Sequence, residues 1–411
     1  MADFYDTLEQ RDPGEREAQL LQALSRQISN AREHSSFYAE LLADVVPAQI
    51  ASREALAQLP VTRKSDLVRI QAGHYPFGGL TTQPLANLAR VFASPGPIYE
   101  PESRDPDYWR LARALYAAGV RRGDLVHNTF SYHFAPAGSM LETAAHALGC
   151  PVFPAGVGQT ELQVSAISSL RPTVYVGTPS FLNIILEKAD ALSADVTSVN
   201  KALVSGEALP ESLRTRLKDR GIDVRQAYVT ADLGLIAYES DAMEGLILDE
   251  GVVLELLRPG TGNPVAEGEV GEVAITTLNT VYPLIRFATG DLSAVEPGLS
   301  PCGRTNTRIR GWLGRADQTT KVRGMFVHPE MVDKVIKRHP EVGRARLVVN
   351  NHDNRDSMIL NCEVSEGDPE LSRAIAVSIR EVTKLRGDVE FVAPGSLAND
   401  GKVIDDIRRY D

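Results

Sequence analysis

The sequence predicts an α/β protein: a large N-terminal domain built on a parallel sheet, with a small β-rich or barrel unit attached, then a small mobile α+β domain. Three observations predict it. Between residues 107 and 229, apolar strand-like runs and amphipathic helical runs alternate in strict turn. That alternation implies right-handed crossovers and a parallel sheet covered on both faces. From 245 to 295 the pattern breaks into short β-like runs interrupted by Gly and Pro, the signature of a small antiparallel unit. Around residue 314 a charged, glycine-containing segment separates regions of different composition, which is where a hinge belongs. The expected domains are therefore 1–313 and 314–411.

The elements follow in order. Residues 15–28 place leucines and isoleucine at helical spacing, and 37–42 continue an apolar face. LPVTRKSDLVRI (59–70) then reads as a loop entering a helix, with Ser65 as its cap. In the alternating region the helices are predicted at 107–120, 138–149, 161–170, 180–192 and 211–221. The strands are predicted at 124–130, 150–156, 173–179, 201–206 and 222–229. The small β-rich unit draws on 246–251, 252–257, 268–278 and 283–288. In the last domain, 328–340 and 369–387 are helical, the former with Pro329 early in it; 344–349, 358–364 and 388–394 are strands.

Composition narrows the function. With 43% apolar and 24% charged residues in 411, the chain sits near the globular average. A net charge of −11 argues against nucleic acid or an anionic membrane as the main partner. A local cluster of donors still binds phosphate on such a protein. Cys150, Cys302 and Cys362 show no metal-ligand spacing and read as reduced cytoplasmic thiols. No secretory leader is expected at the acidic start, and no apolar run approaches the ~18 residues of a membrane helix.

Five segments carry chemistry. SGEALP (205–210) ends a strand, where open α/β sheets bind ligands, and its Ser-Gly turn lets a flat ring approach the backbone. An ordinary strand-to-helix loop is the bland alternative. In AYVTADLG (227–234), Thr230 and Asp232 offer a hydroxyl and a carboxylate to a phosphate and its hard cation; a helix cap is the alternative. In PLIRFATGDL (283–292), Asp291 can accept two ribose hydroxyls, or simply mark a turn. LGRADQTTKVRGMFVHPEMV (313–332) gathers Arg315, Asp317, Lys321, Arg323 and Gly324 at the domain junction. NDGKVIDDIRR (399–409) places Lys402 after a glycine, where a mobile domain could carry it to developing charge; alone, it would read as a surface lysine.

Together and in this order, the five segments resemble the adenylate-forming superfamily, and most of all its phenylacetate–CoA ligase branch. SSFYAELLADV (35–45) with LPVTRKSDL (59–67), and the stretch FPAGVGQTELQVSAISSLRPTVYVGTPSFL (153–182), are similar to that branch as well. The resemblance implies MgATP-dependent formation of an acyl-AMP, domain rotation, and acyl transfer to coenzyme A, with an aryl or arylacetic acid as substrate. It implies that Ser205, Gly206, Glu207 and Ala208 lie against adenine. Tyr228, Thr230, Ala231 and Asp232 would line the α-phosphate, with Asp232 on Mg²⁺. Asp291 would hold the ribose and Arg315 would approach the nucleotide. Asp317 would be the hinge, Lys402 would serve adenylation, and Val322, Arg323 and Gly324 would line the CoA tunnel. Tyr132, His133, Phe134 and Ala135, in FSYHFAPAG (130–138), would border the acyl pocket, with His133 among the catalytic groups. A homodimer is compatible with the resemblance.

The phosphate loop departs from the branch. Where the pattern is near Ser-Ser-Gly-Thr-Thr-Gly-Lys-Pro, residues 94–101 read SPGPIYEP. Ser94, Gly96 and Pro101 match, but Glu100 stands at the lysine. Such loops bind phosphate through consecutive backbone N–H groups and hydroxyls, and Pro95 and Pro97 have no N–H. The donors left are the Gly96, Ile98 and Tyr99 amides and the Ser94 hydroxyl, with Arg104 the nearest basic residue downstream. Two alternatives therefore accompany the ligase reading. One is transfer to a non-CoA acceptor (an amine, a carrier protein or a deazaflavin-like cofactor). The other is a non-catalytic nucleotide-binding or acyl-CoA-binding homologue.

Overall fold

The computed structural model describes residues 4–95, 97–258, 261–316, 320–323, 325–327, 329–352, 355–397 and 403–408. It forms two compact units, 1–314 and 315–411.

The first unit opens with α1 (Pro13–His34). Asp12 accepts hydrogen bonds from Gly14 and Glu15 at its start, and Pro13 fills the first turn; both are standard helix-start devices. Its buried face of Leu20, Leu24, Ile28 and Ala31 recurs at helical spacing and packs into the main core. Ser65 does not cap the next helix. It lies inside a short 3-10 turn, Lys64–Asp66, which follows the two-residue strand β1 (Thr62–Arg63).

A hairpin of β2 (Arg90–Ser94) and β3 (Ile98–Glu102) then carries the SPGPIYEP segment. No strand is predicted there from the sequence. Ser94 pairs with Ile98 at its tip, so the loop is short. Buried Glu102 anchors the stalk: it accepts from Arg90, from Trp109 Nε1 at 2.8 Å and from Ser139 Oγ at 2.7 Å.

The alternating region gives β4 (Val126–Asn128), β5 (Val152–Pro154), β6 (Val174–Gly177), β7 (Lys201–Val204) and β8 (Asp223–Thr230). They pair in parallel in the order 5-4-6-7-8. The expected helix at 107–120 is cut to Ala112–Ala117, because Asp107 and Arg110 take left-handed backbone angles of φ 49° and 66°. Beyond β8 the sheet turns antiparallel through β9 (Gly234–Tyr238) and β10 (Leu246–Leu248), and reaches nine strands. Thus 246–248, expected in the small β-rich unit, extends the large sheet instead. That unit is a four-stranded sheet of β11 (Val252–Leu257), β12 (Gly271–Thr277) and β13 (Phe287–Ser293), with β1 added in parallel beside β13.

The second unit packs helices Pro329–Ile336 and Pro369–Thr383 against a four-stranded sheet with its own apolar core. A separate hairpin, Thr320–Val322 with Met325–Val327, stands at its start.

Candidate active site

The first unit gathers polar groups at the carboxyl ends of its parallel strands, the place where open sheets bind ligands. After β7, Ser205 is fixed by its hydroxyl donating to the Ala227 carbonyl at 2.8 Å. Gly206 has φ 84°, a conformation glycine adopts without strain, and residues 206–208 are exposed. Glu207 folds back to accept from the Ser180 amide at 2.7 Å. The turn is therefore held in place and open to solvent.

Pairing of β1 with β13 brings two distant segments together. Asp291, in β13, accepts from Tyr228 Oη at 2.7 Å and from Trp312 Nε1 at 3.1 Å. A carboxylate has about four lone-pair directions, so it is a side chain that can accept a pair of hydroxyls. Thr230 Oγ1 accepts from the Leu233 amide at 3.1 Å and shapes the turn holding Asp232; Ala231 lies half-buried between them. Arg110 braces that turn from behind. Its guanidinium donates to the Leu233 and Leu235 carbonyls at 2.7 and 3.0 Å and to Asp249 at 2.6 Å.

Asp232 is buried, and Lys64 Nζ donates to its Oδ2 at 2.5 Å. Burial works against the Lys64 ammonium, yet Asp232, Glu100 and Asp291 outweigh it and hold its pKa above the usual lysine range. Asp232 Oδ1 is buried without a hydrogen-bond partner. An open carboxylate oxygen suits a hard divalent cation whose other ligands come from a bound molecule and water. Among the described residues no three His, Cys, Asp or Glu side chains could hold a metal by themselves.

Glu100 faces inward. Its side chain is fully buried and accepts from the Ser94 hydroxyl. Burial and then the charge of Asp232 push it up to about 8, against the Ser94 bond and the Lys64 charge. The Tyr99 backbone is occupied too: its N–H donates to Gln71 Oε1 and its carbonyl accepts from Gln71 Nε2, both at 2.8 Å. Two of the donors expected to remain in this loop, the Tyr99 amide and the Ser94 hydroxyl, are therefore spent within the protein. Arg104, the basic residue expected to compensate, is exposed, whereas Lys64 is the cation that reaches the cluster.

In the 130–138 segment, Asn128 Nδ2 donates to Tyr132 Oη at 2.9 Å. Burial and a hydrogen bond with Glu142 push the Tyr132 phenol far up. His133 is exposed. Phe134 has φ 60° and is 82% exposed, and its carbonyl accepts from the Ala93 amide at 2.9 Å. Half-buried Ala135 follows, its amide donating to the His133 carbonyl at 2.7 Å. This segment is thus tied to the hairpin rather than to the Asp232 cluster.

In the second unit, Arg315 is half-buried and Val322 is buried. Arg323 has φ 47°. Its amide donates to Asp356 Oδ2 at 3.0 Å and its guanidinium to the Asp356 carbonyl at 2.8 and 3.1 Å. Gly96, Asp317, Gly324 and Lys402 lie outside the described residues.

Sequence reasoning did not single out Lys64, Trp312 or Asp356. Each acts through a partner remote in sequence, and no local spacing announces it.

The chain is similar to known proteins. Residues 109–281 match the AMP-binding enzyme family. The chain is 33% identical over 362 residues to the phenylacetate-coenzyme A ligase of Thermus thermophilus, covering 84% of this chain and 80% of that one. It is 29% identical over 383 residues to the Escherichia coli phenylacetate-coenzyme A ligase, covering 88% and 85%. A 2-hydroxyisobutyryl-CoA ligase structure, in complex with 2-HIB-AMP and CoA in its thioesterification state, superposes with a TM-score of 0.78. It has 25% identity and covers 98% of this chain and 92% of that one.

Proposed function

Since the chain belongs to the phenylacetate–coenzyme A ligase family, we propose that it is an AMP-forming acid–CoA ligase whose nucleotide site is the cluster around Asp291, Tyr228, Asp232 and Lys64. One observation supports the site above others. The ribose-type carboxylate Asp291 and the phosphate-side pair Lys64–Asp232 meet at the carboxyl ends of the parallel strands, the arrangement an adenylate requires.

The residues divide the work. Ser205 to Ala208 lie along adenine, Asp291 takes the ribose hydroxyls, and Tyr228 to Asp232 line the α-phosphate. Lys64, Ser94 and Gly96 serve the outer phosphates, where the Lys64 ammonium offsets negative charge. Mg²⁺ on Asp232 supplies further charge neutralisation when bound. The substrate carboxylate attacks the α-phosphorus, the bond to pyrophosphate breaks, and acyl-AMP remains. The CoA thiol loses its proton, attacks the acyl carbon, and AMP leaves. Lys402 serves the first step and the Val322–Gly324 turn, with Arg323 held by Asp356, serves the second. Asp317 is the hinge between domains 1–313 and 314–411, and Arg315 approaches the nucleotide. Tyr132, His133, Phe134 and Ala135 border the acyl group. The family favours an aryl or arylacetic acid, and the protein works in the cytoplasm; among the described residues no helix is long and apolar enough to cross a membrane.

Acid-dependent ATP–pyrophosphate exchange over aryl, arylacetic and short branched acids tests this, followed by thioester detection with CoA. Exchange with aryl acids and a thioester is the expected outcome. Exchange confined to the short branched acids would overturn the acid class. Exchange without thioester would overturn CoA as acceptor, and no exchange with any acid would overturn the ligase reading.

A further inference from the structure

The hairpin at 94–101 poses a problem for an enzyme that handles ATP. Its prolines remove amide donors, Gln71 takes the Tyr99 amide, Glu100 takes the Ser94 hydroxyl, and a carboxyl occupies the position of a lysine. A triphosphate meeting this surface finds almost no donors and a buried acid. Yet the same acid is not stranded. Glu100 Oε2 is buried with no hydrogen-bond partner, and so is Asp232 Oδ1. Glu100 is 0% exposed and Asp232 4% exposed. The two carboxyls lie close enough for their charges to interact, and both interact with the Lys64 ammonium. Tyr282, also buried, has its phenol raised by burial and then by these same two acids. Asp232 thus holds the Lys64 ammonium by one oxygen, and each acid keeps one buried oxygen open. Leaving them unmet in a buried setting is costly.

We propose that Glu100 and Asp232 together bind one hard divalent cation, so that the cation takes over the grip on the outer phosphates of ATP that loop amides and a loop lysine would otherwise provide. The inference rests on the ligase reading above. Two carboxylates, with the remaining positions filled by phosphate oxygens and water, are a normal set for Mg²⁺ or Mn²⁺. Lys64 holds the Asp232 side of the site until a phosphate draws it away. Glu100 is thereby a working substitution rather than a decayed one, since its open oxygen is what completes the protein's share of the cation's ligands.

The test is Mn²⁺ binding to the full chain saturated with AMP, followed by the loss of the free-ion electron paramagnetic resonance signal and corrected for AMP alone. We expect one Mn²⁺ per chain. Glu100→Gln, which keeps the shape and the Ser94 bond, should weaken it by on the order of tenfold or more, as should Asp232→Asn. AMP affinity measured in EDTA should be unchanged in Glu100→Gln, which shows that the site remains folded. Unaltered Mn²⁺ affinity in Glu100→Gln, with loss only in Asp232→Asn, would overturn the proposal and leave the ligase reading standing. Failure of the wild-type chain to bind AMP at all would overturn both. If Glu100→Gln does not fold, the wild-type protein labelled with carboxyl-13C glutamate decides by electron–nuclear double resonance: a 13C coupling to bound Mn²⁺ is expected, and its absence overturns the proposal.

Discussion

At the scale of single residues, Asp291 is the sharpest test of the nucleotide site. Its bonds to Tyr228 and Trp312 hold the carboxylate still, so two ribose hydroxyls would meet a fixed acceptor. Asp291→Ala should cost about 2 kcal/mol of AMP binding, roughly thirtyfold in Kd, as expected for hydrogen bonds to a charged group; calorimetry reads it directly. Asp107 tests burial rather than binding. Its carboxyl is pushed up to about 7, first by burial and then by Asp249, against hydrogen bonds from the protein. The folded protein therefore binds this proton more tightly than the unfolded chain. The stability it contributes is full below about pH 4 and is lost as pH rises through about 7. Asp107→Asn should keep the bond from the Ala112 amide and tolerate φ 49°, but escape that loss. Relative to wild type it should gain denaturant resistance between pH 5 and pH 8, in chemical unfolding at both values.

At the scale of elements, two short pieces depend on single side chains. Gln71 pairs with the Tyr99 backbone as a neighbouring strand would. Gln71→Leu leaves that N–H and carbonyl unmet, so it should destabilise the first unit by about 1–3 kcal/mol and raise the KM for ATP more than it changes thioester formation from supplied acyl-AMP. Asp356 does for the Val322–Arg323 turn what Gln71 does for the hairpin. Asp356→Ala should lower thioester formation while pyrophosphate exchange persists, the two half-reactions being assayed separately. The same elements show what the sequence could and could not disclose. Apolar runs at β6 and β7 are buried on both faces, so period and composition reveal them at once. The hairpin of β2 and β3 is not legible, because its Arg90, Glu100 and Glu102 look like solvent-facing charges until their partners are known. The helix expected from residue 107 fails for a similar reason: Arg110 abandons helical angles to reach Asp249 and two carbonyls more than a hundred residues away. In the site, Asp232 and Asp291 are visible as motif residues, whereas Lys64 is recognisable only once β1 lies beside β13.

At the scale of the whole molecule, two compact units with separate cores suit the proposed reaction in two steps. Lys402→Ala should abolish acyl-AMP formation and leave thioester formation from supplied acyl-AMP largely intact; equal loss of both would remove Lys402 from its assigned step. Within the larger unit, the brace behind Asp232 has a consequence for motion. The Leu235 amide donates to the Trp109 carbonyl at 3.0 Å, and the Arg110 guanidinium ties down the carbonyls on either side of Gly234. The turn that carries the Asp232 carboxylate is thus clamped from behind, while the turn at 206–208 is exposed. In deuterated water the backbone around Leu235 should retain its protons almost as long as the central sheet does, and the Gly206 turn should surrender them within its first openings. The phosphate end of the pocket would then behave as an anvil, and adenine would enter by way of the part that yields.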